Sequence, residues 1–429
     1  MTSTKPRFGL NNLLWLNRRN LIASAEETTN PVEFLADLRP GLYWKPPWSS
    51  NPPPVAYVYC YPLDQAGLIP LLNWYFGRWT GGLPDSWELV GAGASVVANA
   101  GAKIHEYYAR LTRTTDNCYL VQEVPSWGSL LGRYLTVGAW SWANVNYRAR
   151  ISIQAGTASA VSTYNTGVSA YEWLTATIEM PYDATGLEIR LENNGAAGVV
   201  GFDGVVLYLG QSAEATPHAQ EVNYLALHDH NLADGAGQEV SLEYSEVPNT
   251  WAAPTVLLSA APTANKTIWR DTQSPVSKAA WRLKFEGANG SNRPEVAVAA
   301  FGKYVELPNW ISPGFDPWAR TLASEVAETR HGVPLGRIVQ RTPIPLSLEM
   351  PNPSVSFLGG DYLDIWSHLG DQGAEGQRGL PGFLAWNKGD FPDQAFYIYS
   401  PANAKGGSGG LVDATKGRMM RLDLLAVAE

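Results

Sequence analysis

Cysteine is nearly absent. Two residues in 429, Cys60 and Cys118, cannot frame a disulfide-stapled fold and fit no zinc-binding spacing. Two readings stay open for them, a pair of half-buried thiols or a single bridge. Charge is scarce too: 17% of residues are Asp, Glu, Lys or Arg, the net charge is −9, and like charges never run together. That excludes the basic face a nucleic-acid partner requires. No segment approaches the ~20 consecutive apolar residues of a membrane span, and Met1 to Asn11 carries no apolar stretch after its basic residues. Neither a span nor a signal peptide is expected. Long stretches rich in Ala, Glu, Lys and Leu are missing, which leaves helix a minor ingredient. Catalytic signatures are missing as well: there is no G-x-S-x-G, Walker loop, H-E-x-x-H or C-x-x-C.

What is abundant is aromatic and turn-forming. The chain has 17 Trp, 20 Tyr, 41 Gly and 30 Pro. Aromatics favour sheet faces, and Gly and Pro punctuate short strands. An all-β chain of about two to four domains follows. Val55 to Tyr61, 222–232, Glu239 to Tyr244, Ala279 to Phe285 and Val296 to Phe301 read as strands. Between them lies a block of seven or eight strands: Lys103–Leu111, Cys118–Val124, Tyr134–Trp142, Arg148–Gln154, Trp173–Glu179, Gly186–Leu191 and Gly201–Leu209 form its regular part. That is one sandwich of ordinary size.

The block resembles a carbohydrate-binding module of the galactose-binding jelly-roll type. The resemblance is carried by Leu71-Leu72-Asn73, by Trp87 in Ser86-Trp87-Glu88-Leu89, by Gly132 to Trp140, by Tyr171-Glu172-Trp173-Leu174, and by the closing Gly201-Phe202-Asp203-Gly204-Val205-Val206-Leu207. Its flanks resemble a discoidin-like jelly roll split by the block, since neither flank alone has strands enough to close a sandwich. Insertion at an exposed turn costs little. The expected division is 1–69 and 213–306 as two parts of the discoidin-like roll, 70–212 as the inserted roll, and 307–429 as a C-terminal β-rich assembly unit. In that last unit one helix is expected, with Leu358, Tyr362, Ile365, Trp366 and Leu369 on one face and a stop at Gly370. Layout and turn texture resemble minor tail and tail-tip proteins of tailed bacteriophages.

Four features could carry chemistry. On Tyr134–Trp142 the even positions Tyr134, Trp140 and Trp142 share one face, opposite Leu135, Val137 and Ala139. Sugars stack on such rings, so these three are the candidate carbohydrate site; burial in the core or against a neighbouring subunit is the competing reading. His228-Asp229-His230 puts two imidazoles on one strand face, without further ligands to complete a metal site. Gly373 to Gly382 repeats Gly at every third place for too few triplets to make collagen. Gly406-Gly407-Ser408-Gly409-Gly410 reads as a flexible loop.

The resemblances together imply a non-enzymatic virion structural protein of a phage tail tip or baseplate, without metal or cofactor. Its partners would be other tail and baseplate proteins in a symmetric homo-oligomer. It would be made in a host cytoplasm and released by lysis. The alternative, which can hold alongside it, is a carbohydrate-binding adhesin recognising host-surface glycans. A glycan-cleaving enzyme is the third class weighed.

Overall fold

A computed structural model describes residues 5–10, 12–17, 21–23, 30–46, 55–62, 68–69, 71–104, 106–115, 117–195, 197–213, 218–234, 238–248, 250–286, 293–308, 324–328, 334–339, 344–351, 353–369, 380–387, 393–399 and 419–427. The triplet repeat at 373–382, apart from its last three residues, and the 406–410 loop lie outside them, as do the side chains of Leu358 and Trp366.

The fold is all-β, with jelly-roll sandwiches, one set inside another. Val55–Cys60 pairs antiparallel with Trp281–Glu286, so the chain leaves one sheet after residue 60 and returns to it only from Glu239 onward, beyond the inserted block. That roll has two sheets. One runs Thr255–Ala260, Glu239–Tyr244, Trp281–Glu286, Val55–Cys60, Ile22–Ala23, and the other Ile268–Lys278, Gln220–His230, Val296–Gly302. Alternation explains both: Val58, Cys60, Val240, Leu242, Leu283 and Phe285 point inward and are wholly buried between the sheets.

The inserted roll also has two sheets. The first orders Ala158–Val161, Ala149–Ala155, Leu187–Asn193, Cys118–Glu123, Glu88–Val90. The second orders Tyr171–Glu179, Tyr134–Ala143, Gly198–Leu209, Tyr107–Arg113, Ser95–Ala100, with Leu68–Ile69 also on Gly198–Leu209. Leu120, Leu135, Val137, Ile151, Ile153, Ile189, Leu191 and Phe202 fill the space between. The two rolls meet through aromatic packing. Tyr59 and Tyr61 share a core with Trp74 and Tyr75, and the buried Arg282–Glu243 pair (2.6 Å) lies with its guanidinium 4.1 Å from the Tyr57 ring and 4.5 Å from that of Trp251. Arg78 adds a bridge from the inserted roll to Glu33 (2.6 Å) and the Leu21 carbonyl (3.0 Å). A junction built this way fixes the angle between the rolls.

The C-terminal sheet takes in the chain's other end. Arg7–Gly9, expected within the first roll, pairs instead with Val305–Glu306 and Gly382–Ala385, and the sheet continues through Ala395–Tyr399, Met419–Ala426 and Ile344–Pro351. Gly9 is needed there, since a Cβ would sit 2.7 Å from the Tyr224 ring. Arg7 is held between Asp271 (3.0 Å) and Glu306 (2.9 Å), which ties three segments together. The expected helix is broken in two, Val355–Gly359 and Asp361–Leu369, because Gly360 adopts a non-helical conformation between them. Tyr362, Ile365 and Leu369 are buried on the face expected of them. Among the described residues no helix is long and apolar enough to cross a membrane.

Candidate functional site

The outer face of the inserted roll's second sheet carries the candidate site. Side chains alternate across Tyr134–Ala143: Leu135, Val137 and Ala139 are fully buried in the core, and Tyr134, Trp140 and Trp142 face outward. The two tryptophans are half-buried, so the outward face, rather than the core, holds them. Neighbouring strands add rings in register. Trp140 pairs with Trp173 and Trp142 with Tyr171 on one side; on the other, Trp142 lies beside Gly201, Gly201 beside Arg110, and Arg110 beside Val97. Tyr108, one rank from Arg110 on the same strand, leans toward this group: its ring centroid is 6.5 Å from Trp142 and 6.0 Å from Tyr171. Trp140 and Trp173 meet edge to face at 5.3 Å.

Glycine makes room for the rings. A Cβ on Gly201 would come 2.5 Å from the Tyr108 ring, and one on Gly138 would collide with Trp173. The Tyr108 ring, itself buried, and the half-buried Trp173 ring each occupy the space left over a glycine.

A bulge organises the upper end. The register between Tyr134–Ala143 and Gly198–Leu209 shifts between Gly138 and Trp140, and Gly204 takes φ +59°. Asp203, opposite Trp140 at this shift, is wholly buried beneath the 101–104 loop. Its carboxylate accepts from the backbone N–H of Lys103 (2.8 Å), Ile104 (2.7 Å) and Gly204 (2.8 Å). Burial pushes this carboxyl up to about 7, against three N–H donors that pull it the other way without prevailing. Held by Asp203, the 101–104 loop folds over the sheet. It places the Lys103 ammonium 4.9 Å from the Trp140 ring and offers the Gly101 carbonyl to the Tyr171 hydroxyl (3.4 Å). This is why Lys103, expected in a strand, lies before it; the strand is Tyr107–Arg113.

Of the three residues singled out from sequence, the structure brings Trp140 and Trp142 together and leaves Tyr134 apart. Tyr134 is 42% exposed at the far end of the strand, beside Glu179, and its hydroxyl is raised by bonding to that carboxylate. Tyr108, Tyr171 and Trp173 went unrecognised as members of the site. The strand Tyr171–Glu179 carried a signal for two of them: Tyr171, Trp173, Thr175 and Thr177 alternate with Leu174, Ala176 and Ile178.

Other candidates resolve into structure. His228 is buried, bonds Thr267 Oγ1 (2.9 Å) and stacks on Tyr397; His230 bonds the Lys266 carbonyl (2.8 Å) and accepts from the Leu232 N–H (3.3 Å). Among the described residues no group of three or more His, Cys, Asp or Glu could hold a metal. Cys60 and Cys118 are both free and fully buried rather than half-buried, and burial raises both thiols, Cys118 to about 11. Two open clefts of ≈ 540 and ≈ 470 Å3 meet at Leu72 and Pro125, and no ring of the site lines either one.

No protein-family model and no curated protein matches the chain. Similar solved structures exist. The CBM22-1 xylan-binding domain from Paenibacillus barcinonensis Xyn10C is 12% identical over 35% of this chain and 99% of that one, at a TM-score of 0.28. TmCBM61, solved with β-1,4-galactotriose, is 22% identical over 33% of this chain and 97% of that one, at 0.25. The enzymatically active domain of bacteriophage CBA120 tailspike protein 4 is 15% identical over 29% of this chain, at 0.25, and the match spans 20% of that chain.

Proposed function

We propose that the inserted roll grips a glycan on its ring-lined face, and that the chain as a whole is a non-enzymatic structural component of a phage tail tip that uses this grip for host-surface attachment. One observation carries the first half. Trp140, Trp142, Tyr171, Trp173 and Tyr108 gather on the outward side of a sheet whose inward side already closes a complete core. Trp140 and Trp173 also pack against that core and Tyr108 is buried, which leaves Trp142 and Tyr171 as half-buried rings that the core does not claim. Flat rings over small residues suit the apolar faces of pyranose units.

The tail-tip half is supported by mechanics. Packed aromatics and the Arg78–Glu33 ion pair tie the roll to its host roll, and Arg7–Gly9 and Met419–Ala426 share one sheet, which suits a part that presents a site at a fixed angle under load. The absence of turnover belongs to the same reading: of the carboxylates near the rings, Asp203 is sealed beneath the 101–104 loop and Glu172 is engaged by Thr166.

Affinity electrophoresis of the full chain through gels containing bacterial-surface polysaccharides tests the glycan half. Retardation should weaken about tenfold or more for Trp142→Ala and for Tyr171→Ala, with melting temperatures confirming that each variant folds. Retardation that both variants leave intact sinks the reading. The tail-tip half is checked by finding the chain in purified virions at a fixed copy number, and the absence of turnover by finding no new reducing ends after incubation with a retained polysaccharide.

A further inference from the structure

We infer that the saccharide taken by this face is acidic, a glycan bearing uronic-acid carboxylates, and that Lys103 and Arg110 select it. The inference rests on the glycan reading above and names the ligand class for the same surface.

The charges on the roll are the starting point. On the opposite outer face Arg150 is paired with Glu192 (2.6 Å) and Arg190 with Glu188 (2.6 Å); at the junction Arg78 meets Glu33 and Arg282 meets Glu243. Lys103 and Arg110 differ. Among the described residues neither has a carboxylate within ion-pair distance. In a chain of net charge −9, two cations without a carboxylate partner stand on one small surface.

Their placement gives the pair a use. Arg110 stands beside Gly201, and Trp142 stands on the other side of that glycine, with the Tyr108 ring lying over the glycine between them. Arg110 is half-buried, and a partly desolvated guanidinium favours an anionic partner. Lys103 sits over Trp140, the next outward ring on the strand. Of the carboxylates nearby, Asp203 is spent on three N–H donors, and Glu172 accepts from the Thr166 backbone N–H (3.0 Å) and hydroxyl. The Asn99 amide donates to the Tyr108 hydroxyl (2.9 Å) and the Ala100 carbonyl (3.1 Å), so it is not held ready for sugar hydroxyls. Free polar capacity beside the rings is therefore cationic. A guanidinium fork matches a carboxylate in two hydrogen bonds, and an ammonium adds a point charge.

The test uses the full chain and a panel of matched polysaccharide pairs, each a polyuronate and its carboxyl-reduced neutral form. The acidic member of a retained pair should bind about tenfold tighter at low ionic strength, and the preference should fade in ~0.5 M salt. Lys103→Gln and Arg110→Gln should each shrink the preference for the acidic over the neutral member about three- to tenfold. Neutral forms held as tightly as acidic ones, or a preference that survives both substitutions, overturns the inference while ring-dependent binding still upholds the glycan reading. If no member of any pair is retained, the glycan reading falls and the inference with it.

Discussion

The inserted roll has two outer faces, and each holds a carboxylate fed by several donors. On the five-stranded side Glu192 accepts from Arg150 (2.6 Å), Ser152 (2.6 Å) and Asn194 (2.7 Å). Burial pushes Glu192 up, but the bonds from Ser152, Asn194 and Arg150 and the guanidinium's charge outweigh it, and the group ends below the usual carboxylate range. On the six-stranded side Asp203 has three N–H donors and no cation partner, and burial wins. The difference is one of completeness. The five-stranded face satisfies itself: Arg190 also lies over Tyr119 (4.9 Å) and Arg150 over Tyr164 (5.2 Å). The six-stranded face buries its acid and turns rings and cations outward. A face that closes its own ledger of charges has no need of a ligand.

The comparison is broken most forcefully at Gly201. Gly201→Val drives side-chain atoms into the Tyr108 ring and should cost about 1–3 kcal/mol by overpacking. Glycan retardation should fall more than tenfold with it, read on the folded fraction. Arg190→Ala on the opposite face should leave retardation unchanged. Equal losses from both would mean that the faces do not differ in function.

The two carboxylates sharpen the contrast through pH. Glu192 is lower in the folded chain than its usual 4.5, so its stabilisation is in place above that value and is lost as pH falls through the folded value. Glu192→Gln should cost about 1–2 kcal/mol at pH 7, and the deficit should shrink in acid. Asp203 has the opposite sign. Its folded value lies above the usual 3.8, so its contribution is full below that and fades as pH rises through about 7. Between pH 4 and pH 8 the wild-type melting temperature should therefore lose ground to that of Asp203→Asn. Parallel melting curves for that pair across the range would falsify the burial argument.

How much of this could be read from the chain depends on distance along it. Period-two patterning marked the strand Tyr134–Ala143 and sorted its inward from its outward residues, because alternation is a local property. It could not say that Tyr171 and Trp173 come alongside, or that Tyr108 leans over Gly201, since those neighbours are set by strand order in the sheet. Flanks too short to close a roll alone made the insertion legible, and Val55–Cys60 does pair with Trp281–Glu286. Arg7–Gly9 was hidden for the opposite reason: three residues carry no period, and their partners lie near residues 305 and 384. Asp203 stood out as part of a closing motif, but its clamp on the 101–104 loop depends on a bulge that appears only as a register shift.

Tyr134 supplies the smallest effect and a sharp boundary for the site. It was grouped with Trp140 and Trp142 because all three face outward from one strand. Facing the same way is not being near. Six residues separate Tyr134 from Trp140, which at ~3.3 Å per residue is ~20 Å, several sugar rings away. The surface between them is Thr136, tied to Thr177 (2.9 Å) and the Gly210 carbonyl (2.8 Å), and Gly138, covered by Trp173. Tyr134→Ala should therefore change retardation less than about twofold, and stability by no more than about 0.5 kcal/mol, as for an exposed side chain. A loss as large as that of Trp142→Ala would extend the site along the whole strand and require a ligand long enough to cover both ends.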